Sequence, residues 1–396
     1  MKIRGNREQP MKTFQGYRRE RGLPGVRNAV AVIPSVFCAN TVARRIAEHV
    51  AGAISFCHPV GCSQVGLDLE LTARGLKGLG AHPNFYGAVV VGLGCERLRP
   101  RELAEGIAAA GKPVEMLVIQ EEGDTLQAFE KGVTLASRMV EEASCQHRED
   151  FPLSALSLGL KCGGTDATSG LAANPALGWA TDRLVEAGGR AIFTEVTELI
   201  GAEQLLAGRG ITPQVAGEIL ATIGAMEKRL SAATACPELK HRSALISPGN
   251  EDGGVTTVAE KALGGITKAG TGPISGVVGY GRYPAGPGLY LLDCVGHDGE
   301  AVTGLVASGC QLVVFTTGRG TPTGFPGVPV IKITGNSATF ERMKFNLDFN
   351  AGRIMEGASI AEVGEELIEK ILRVASGEPS RAELLGHDEL FCITRR

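Results

Sequence analysis

Continuous apolar runs alternate with segments of helical spacing along the first part of the chain. A buried strand is a short continuous apolar run, whereas a helix repeats its apolar positions every three or four residues. Three strand-then-helix pairs follow this pattern: 28–36 with 39–51, 87–94 with 100–110, and 114–120 with 124–143. The repetition predicts parallel strands joined by right-handed helical crossovers.

The polar stretch SCQHREDFP at 144–152 interrupts this pattern and predicts a domain boundary. Beyond it, strand-like runs occur at 154–160, 190–194, 289–293, 311–315 and 328–334, and helical spacing occurs at 176–187, 199–207, 213–230 and 359–375. We therefore predict an α/β fold of two Rossmann-like parallel-sheet units packed around a shared cleft. The expected divisions are a first domain at 1–146, a catalytic domain at 152–390 and a tail at 391–396.

The composition supports this fold class and narrows the possible partners. The 396 residues include 55 glycines and are 43% hydrophobic but only 5% aromatic, which favours many tight strand-to-helix turns. The net charge is −3, and no basic stripe is interleaved with aromatic residues, so nucleic acid is not expected as a partner. Residues 1–21 carry no apolar signal region, and no long apolar run follows, so we expect no membrane segment and a cytoplasmic protein.

Glycine-rich turns after the predicted strands carry the candidate chemistry, because open parallel sheets bind ligands at the carboxyl ends of their strands. Three of these turns place a cysteine beside a glycine, at Cys62, Cys95 and Cys162. A thiolate is a soft ligand for iron or zinc, so these cysteines are candidate metal ligands from separate turns. Buried, chemically inert cysteines are the alternative interpretation. With ten cysteines and no signal peptide, reduced thiols are expected rather than disulfides.

Several other turns are suited to binding an anion. Arg27 and Arg319 lie beside glycines, where a guanidinium can hold a carboxylate through two hydrogen bonds, although a solvated surface position is equally compatible. The turns at 169–170 and 316–318 can present backbone N–H groups to an anion. Among the histidines, His58 and His297 are the ones to test.

Known nucleotide and hydrolase fingerprints do not occur in the sequence. No GxGxxG opens a helix after the first strand, no GxxxxGK[ST] is present, and there is no GxSxG elbow. The residues alone therefore indicate an α/β enzyme that binds an anionic small molecule and a metal, and they do not identify the reaction.

Short segments spread over residues 14–391 resemble, in order and spacing, the large portion of the galactarate and altronate dehydratase family. The clearest are FQGYRRERGLPGVRN at 14–28, VGLGCE at 91–96, LKCGGTDATSG at 160–170, ANPALG at 173–178, EVTE at 195–198, PGN at 248–250, EKALG at 260–264, FTTGRGTP at 315–322, VPVIKI at 328–333 and NAG at 350–352. The resemblance implies elimination of water from a 2,3-dihydroxy acid such as altronate or galactarate, giving a 2-keto-3-deoxy acid. It also implies a divalent metal, with Fe2+ expected and an iron–sulfur cluster as a further option.

The resemblance also suggests roles for individual residues. Because the proton next to a carboxylate is only weakly acidic, such an enzyme must stabilise the enediolate with a cation or fixed donors. On this hypothesis the metal ligands are Cys62, Cys95 and Cys162, and the catalytic candidates are Asp166, Lys261 and Glu96. Substrate binding is expected from Arg27, Asn28, Asn250, Arg319 and Lys332. For the charged residues, structural ion pairs are the alternative.

Single-chain members of this family carry a small SAF-type domain before the region that resembles this chain. The sequence instead starts almost directly at the GYR segment, so a separate small SAF-type subunit is expected, in a homo- or hetero-oligomer with a small sugar acid as substrate. The alternatives are that the domain has been lost from this chain or that the chain works alone. Asn346 stands where the family tends to have Asp, and the stretch 57–64 matches loosely. Both departures bear on the choice of substrate.

Three other functions compete with the dehydratase. The large subunit of a sulfolactate sulfo-lyase would eliminate sulfite from a 2-hydroxy acid, and the positions of Cys38, Cys62 and Cys95 resemble the dehydratases more. A non-catalytic binding subunit would retain the fold without turnover. Nucleotide binding by the glycine turns has little support in the sequence.

Overall fold

The computed structural model describes residues 12–233, 246, 248–389 and 391–394. Its strands are β1 Thr13–Tyr17, β2 Ala29–Pro34, β3 Ala53–Ser55, β4 Phe85–Gly92, β5 Val114–Val118, β6 Arg148–Pro152, β7 Ser157–Cys162, β8 Arg190–Phe193, β9 Ile274–Gly279, β10 Gly288–Asp293, β11 Leu312–Thr316, β12 Val330–Thr334 and β13 Phe349–Asn350.

The helices connect these strands. They are α1 Asn40–His49, α2 Gly66–Gly80, α3 Pro100–Ala108, α4 Ile119–Glu122, α5 Thr125–Ser144, α6 Asn174–Glu186, α7 Glu203–Ala207, α8 Pro213–Ala233, α9 Pro248–Asp252, α10 Val258–Ile266, α11 Asp298–Ala307, α12 Ser337–Arg342, α13 Ile360–Ala375 and α14 Arg381–Leu385. None of the helices in the described residues has the length and apolar character that crossing a membrane requires.

Two parallel sheets organise the molecule, as the sequence predicted. The smaller has four strands in the order β3-β2-β4-β5, and the larger has seven in the order β13-β12-β11-β7-β8-β10-β9. All neighbouring strands within both sheets run parallel. The carboxyl ends of neighbouring strands therefore meet along one edge of each sheet, where their loops can share a site.

The stretch predicted to be a domain boundary contains a strand. β6 lies in it and pairs antiparallel with β1 near the amino terminus, from Thr13 opposite Pro152 to Tyr17 opposite Arg148. Phe14, on β1, is buried in the core of the larger sheet. Strand β1 thus packs with the unit built on the larger sheet, although in the sequence it precedes the unit built on the smaller sheet.

A shared apolar core joins the two units. One cluster of buried side chains includes Ile33 and Phe85 from the smaller sheet together with Val313 and Phe315 from the larger one. The tail adds to this core, because Ile393 is buried in it. Burial across the two units holds them together at a fixed contact.

Helix α2 was not expected from the sequence, because its many glycines give weak helical patterning. The structure shows why they are present. A Cβ atom on Gly78 would lie 2.1 Å from the carbonyl oxygen of Ala307, at the end of α11. The glycine lets the two helices approach closely, across the contact between the two units.

Candidate active site

A cleft of about 480 Å3 opens at the carboxyl ends of β7, β8 and β10, which are neighbours in the larger sheet. Its wall is built from the loops that follow these strands and from the starts of α9, α10 and α11. The residues that line it are Cys162, Gly163, Gly164, Thr197, Glu198, Leu230, Asn250, Lys261, Val295, Gly296, His297, Asp298 and Glu300. It is the position at which open parallel sheets bind ligands.

A buried ion network lies at the carboxyl ends of these same strands. Glu195, directly after β8, accepts hydrogen bonds from Lys161 Nζ to one carboxylate oxygen and from Lys268 Nζ to the other, each at 2.5 Å. The backbone N–H of Cys162 donates to the second oxygen at 3.0 Å. All three charged side chains are essentially inaccessible to solvent. Two lysines therefore share one buried carboxylate at the base of the cleft.

Lys161 extends this network to the cleft itself. Its ammonium also donates to the carbonyl oxygens of Cys162 at 2.6 Å and Gly296 at 3.2 Å, and it lies 2.8 Å from a carboxylate oxygen of Asp298. Cys162, Gly296 and Asp298 all line the cleft. The buried charge of Lys161 is thus bonded directly to three residues of the cleft wall.

The network keeps its members ionised. Burial alone would lower the pKa of Lys161, but the carboxylates of Glu195 and Asp298 raise it above the usual value for lysine. Burial would raise the pKa of Glu195, but Lys161 and Lys268 lower it below the usual value. Opposite charges at this distance outweigh the cost of desolvation in both cases.

Glu195 has an unusual backbone conformation. Its φ is +76°, and the described residues contain one other non-glycine residue with positive φ, Ser63. A left-handed conformation is unfavourable for a residue with a Cβ atom, and such strain is found where the surrounding structure requires it. Here it turns the chain sharply after β8, into the short helical turn Val196–Glu198.

Glu198, at the end of that turn, is the titratable group best placed for chemistry in the cleft. One of its carboxylate oxygens lies 3.0 Å from Lys261 Nζ, and both residues line the cleft. Burial and the nearby charge of Glu195 raise the pKa of Glu198 above the usual glutamate value. A carboxyl group whose pKa is raised keeps its proton to a higher pH than an ordinary glutamate, which is the direction in which catalytic carboxyl groups are shifted.

Three residues predicted from the sequence line this cleft. Lys261 is buried on α10 and pairs with Glu198, and Cys162 ends β7 with its thiol 3.6 Å from the Thr165 hydroxyl. Asn250 is buried on α9, where its side-chain oxygen accepts a hydrogen bond from Thr165 N at 2.9 Å. His297 also lines the cleft, with an exposed side chain.

Arg319 lies at the rim of the cleft. Its Cβ and Cγ approach Gly164, which lines the cleft, and Gly318 N donates to the carbonyl oxygen of Gly164 at 2.8 Å. Its guanidinium is half exposed, with the nearest Asp252 carboxylate oxygen 4.0 Å away. Apart from this long ion pair, the guanidinium of Arg319 has no hydrogen-bond acceptor among the described residues, so its N–H groups can hold a carboxylate that enters from solvent.

Asp166, which the sequence analysis predicts to be catalytic, has both carboxylate oxygens hydrogen-bonded within the protein. One of its carboxylate oxygens accepts hydrogen bonds from Thr168 Oγ1, Ser169 N and Ser169 Oγ, and the other accepts one from Asn336 Nδ2 at 3.1 Å. Within the part of the chain that the structure describes, Asp166 is not one of the residues that line the cleft. Its carboxylate fixes the turn that follows the cleft and joins it to α12.

Arg27 was predicted to bind substrate, but its guanidinium is fully engaged within the protein. It forms a two-bond ion pair with Glu383 at 2.7 and 3.0 Å and donates to the carbonyl oxygens of Val26, Val374 and Glu378. Every N–H of the group has an acceptor, so none is left for a ligand. Arg27 fastens the amino-terminal segment to the carboxyl-terminal helices.

Asn28 and Lys332 were also predicted to bind substrate, but neither is among the described residues that line the cleft. Asn28 donates to the carbonyl oxygen of Ala143 at 2.8 Å, at the end of α5. Lys332 donates to the carbonyl oxygens of Pro322 and Thr323, and burial lowers its pKa to about 8. Both side chains hold loops in place.

Glu96, Cys62 and Cys95 lie on loops that follow strands of the smaller sheet. Burial alone would raise the pKa of Glu96, but hydrogen bonds from the Ser35 hydroxyl and from nearby backbone N–H groups lower it. The net shift favours the ionised carboxylate of Glu96, and its role as a catalytic residue stays a prediction. Its carboxylate joins the loops after β2 and β4.

The three predicted metal ligands are not assembled for one ion. Cys162 is buried at the larger sheet, whereas Cys62 and Cys95 are exposed at the smaller one. Among the described residues no three His, Cys, Asp or Glu side chains form a group able to hold a metal ion. The residues present therefore do not fit a single ion bound by these cysteines, and the expected metal dependence remains a prediction.

The sequence analysis missed the most conspicuous charged residues of the site. Lys161, Glu195, Glu198 and Lys268 were noted only within quoted segments or not at all, yet they form the buried network and its link to the cleft. The signal was present in EVTE at 195–198, where two carboxylates follow directly after a strand. Nothing in the sequence shows that Lys161 and Lys268 reach the first of them.

Two family models match the chain over nearly its whole length. The model described as D-galactarate/altronate dehydratase, C-terminal, matches residues 153–396, and that described as D-galactarate dehydratase/altronate hydrolase, second domain, matches residues 16–144. The chain belongs to the galactarate and altronate dehydratase family. The two models meet on either side of the segment that contains β6.

Relatives in this family are similar along almost the entire chain. An altronate dehydratase of Bacillus subtilis (strain 168) is 38% identical over 393 residues, which cover 96% of this chain and 76% of the relative. Subunit beta of a (2R)-sulfolactate sulfo-lyase from Chromohalobacter salexigens is 37% identical, with 97% of each chain covered. A galactarate dehydratase (L-threo-forming) of Escherichia coli (strain K12) is 36% identical, covering 92% of this chain and 73% of the relative.

Proposed function

We propose that this chain is a sugar-acid dehydratase that removes water from a 2,3-dihydroxy acid, such as altronate or galactarate, to give a 2-keto-3-deoxy acid. The observation that carries the proposal is the Glu198–Lys261 pair in a cleft at the carboxyl ends of β7, β8 and β10. The names of the dehydratase relatives point to the same reaction class.

The substrate carboxylate binds to Arg319 and Asn250. Arg319 at the rim offers an exposed fork of donors, and Asn250 lies within the lining. Holding the carboxylate between these groups places C2 of the substrate toward Glu198 and Lys261. Such fixed donors stabilise negative charge that develops on the carboxylate as the C2 proton leaves.

The elimination transfers one proton and breaks one C–O bond. Glu198 in its ionised form takes the proton from C2, and the electron pair of that C–H bond passes through the enediolate to form the C2–C3 double bond. The C3–O bond breaks, and the hydroxyl leaves as water after receiving a proton from Lys261. The resulting enol tautomerises to the 2-keto-3-deoxy acid.

The buried Lys161–Glu195–Lys268 network supports this chemistry without touching the substrate. Its charges sit in a medium of low polarity directly behind Cys162, Gly296 and Asp298. Fixed charges at such a position act without reorganising when charge develops in the cleft. The network also holds the loops after β7, β8 and β10 in one arrangement.

We further propose a dependence on iron and a cytoplasmic setting with a small SAF-type partner subunit. Within the described ranges, the cleft side chains do not group as ligands for one ion, and no step of the elimination is assigned to a metal. Support for the partner comes from the sulfo-lyase relative, which is named as a beta subunit and is matched over 97% of its length. We expect the small subunit to co-purify with this chain when both are produced together.

A sulfo-lyase is the alternative function, favoured by the 37% identity to the sulfo-lyase subunit. The two reactions share removal of a proton from C2 and differ in the group that leaves C3. The test is to incubate the purified chain, with and without a small partner and Fe2+, with a panel of aldonates and aldarates and with sulfolactate. Keto-acid formation from a sugar acid supports the proposal, and sulfite release from sulfolactate alone would replace it with the sulfo-lyase.

A further inference from the structure

A second pocket, of about 440 Å3, opens where strands β4 and β5 of the smaller sheet begin. Its lining comes from the segment after β1, from the end of α3 and from the turn that leads into β5. The charged side chains in it are Glu20, Arg21 and Lys112, beside Gly111 and Pro113. The candidate active site lies at the larger sheet, so this pocket takes no part in the elimination proposed above.

Lys112 is the buried charge of this pocket. The residue is only 8% exposed, and its ammonium group donates a hydrogen bond to the Phe85 carbonyl oxygen at 2.5 Å. Among the described residues the ammonium has no ion pair with a carboxylate and no second acceptor. Two of its three N–H donors are therefore open to a ligand. A buried ammonium without a counter-charge is costly, because burial penalises the charged form.

A second buried cation, Arg19, lies close to Lys112. Its guanidinium donates to the carbonyl oxygens of Pro83 at 2.7 Å and Arg27 at 3.1 Å, and to Gln146 Oε1 at 2.9 Å. All three acceptors are uncharged. Burial lowers the pKa of Arg19 to about 10, and the charge of Arg19 adds to burial in lowering the pKa of Lys112. Two positive groups thus share a region in which their hydrogen-bond acceptors carry no charge.

The histidine nearest to these cations does not balance them. His82 is fully buried, and its ring is bonded through Nε2 to the Cys310 carbonyl oxygen at 2.9 Å. Burial lowers its pKa to about 3, and the charges of Lys112 and Arg19 lower it further. The ring is therefore neutral at physiological pH, and the positive charge of the region stays uncompensated.

Arg21 adds a third cation at the mouth of the pocket. Its side chain lies over Gly111, where a Cβ atom would be 3.1 Å from Arg21 Cδ, and Gly111 has φ +81° in the turn after α3. The Arg21 side chain is exposed and has no hydrogen-bond or ion-pair partner within the described ranges. Glu20, the acidic residue of the lining, is exposed to solvent, which screens its charge.

We propose that this pocket binds an oxyanion, a phosphate or carboxylate group, between Lys112 and Arg21. The open donors of the Lys112 ammonium and the planar fork of the Arg21 guanidinium are suited to its oxygens. Its negative charge supplies what the described residues do not provide for Lys112 and Arg19. A volume of about 440 Å3 has room for the anionic group and for part of the molecule that carries it.

The test is calorimetric titration of the purified full chain with inorganic phosphate and, in a separate arm, with citrate, at neutral pH and constant ionic strength. We expect saturable binding of one anion per chain, and the arm that binds more tightly identifies the phosphate or the carboxylate class. Lys112→Met, which keeps the aliphatic stem, and Arg21→Gln should each weaken binding by about tenfold or more. Lys344→Met, at an exposed lysine after α12, is the matched control and should bind like the parent.

A further variant separates this pocket from the candidate active site. Arg319→Ala removes the cation at the rim of that cleft, and it should leave the affinity for phosphate and citrate at the parent value. Thermal unfolding of every variant without added anion shows that it still folds. Because the anion binds the folded state, the better of the two probes should raise the melting temperature of the parent and of Lys344→Met but not that of Lys112→Met.

Three results would overturn the proposal: no saturable binding of either probe, equal affinity in Lys112→Met and Lys344→Met, or a loss of binding in Arg319→Ala with none in Lys112→Met. The last result would place the anion in the cleft at the larger sheet. None of these readouts depends on turnover, so the proposal stands or fails separately from the dehydratase assignment.

Discussion

The carboxylate of Glu198 lies 3.0 Å from the ammonium group of Lys261 in a cleft formed where three parallel strands end. The pair sits beside Glu195, whose negative charge is held by two buried lysines and adds to burial in raising the pKa of Glu198. A carboxyl group with a raised pKa is thus placed at the surface of a fixed ionic network.

The position of Glu198 predicts the acidic limb of the pH profile. A base works only when ionised, and the pKa of Glu198 is raised above the usual glutamate value, so kcat/KM should rise with pH through a pKa above that of an ordinary glutamate. Steady-state rates measured across acidic to neutral pH test this. A limb at the usual glutamate pKa, or no acidic limb at all, would contradict the assignment of Glu198 as the base.

Replacing Glu195 by Gln should destabilise the protein strongly. Lys161 and Lys268 would lose the carboxylate they share, and breaking a buried ion pair on one side costs about 3–5 kcal/mol. Urea unfolding at neutral pH measures the difference between the variant and the parent. A loss below about 1 kcal/mol would show that the network is not held as described.

The same variant has a predicted dependence on pH. Because the folded pKa of Glu195 is lowered, its contribution to the free energy of unfolding is fully present above the ordinary glutamate value of 4.5 and is lost as the pH falls through the folded pKa. The stability gap between the parent and Glu195→Gln should therefore narrow in acid. A gap that stays constant there would mean that the carboxylate charge is not its source.

Arg319 is expected to act on substrate binding more than on turnover. Arg319→Ala removes the exposed donor fork at the rim of the cleft, so KM for a sugar acid should rise about ten- to a hundredfold, with a smaller change in kcat. Arg282→Ala, on the loop before β10, serves as a control arginine. An unchanged KM would place the substrate carboxylate elsewhere in the cleft.

Arg27 should behave as a structural residue. Arg27→Ala removes the pair with Glu383 and the donors to three carbonyl oxygens, so the free energy of unfolding should fall by about 2 kcal/mol or more. KM should stay close to the parent value. A rise in KM without a loss of stability would restore the substrate-binding role that the sequence suggested.

The parts of the fold that the sequence predicted are those where one short segment determines its own structure. The apolar run at 87–94 becomes β4, and the spacing at 359–375 becomes α13. The predicted helix at 199–207 is shorter, because the turn after Glu195 and the positive φ of Gly201 delay α7 until Glu203. β6 was read as a boundary because its residues are polar, and only its pairing with β1 makes it a strand.

The site was predicted in part for a similar reason. Cys162, Asn250 and Lys261 belong to turns or helices whose motifs stand out in the sequence, and they line the cleft. The pairing of Glu195 with Lys161 and Lys268 joins residues 34 and 73 positions apart, and no local pattern contains that information. The engagement of Arg27 could not be foreseen either, because its partner Glu383 lies 356 positions away.

The most direct test of the account compares keto-acid formation by the parent, Glu198→Gln and the exposed control Glu186→Gln, with the sugar acid that the panel identifies as substrate. Glu198→Gln should lose roughly 100- to 10,000-fold in kcat and should no longer exchange the C2 hydrogen with deuterated solvent, while its melting temperature stays near the parent's. Glu186→Gln should match the parent. If Glu198→Gln turned over and exchanged the C2 hydrogen at the parent rate, the cleft beside Lys261 would not be where the proton is removed.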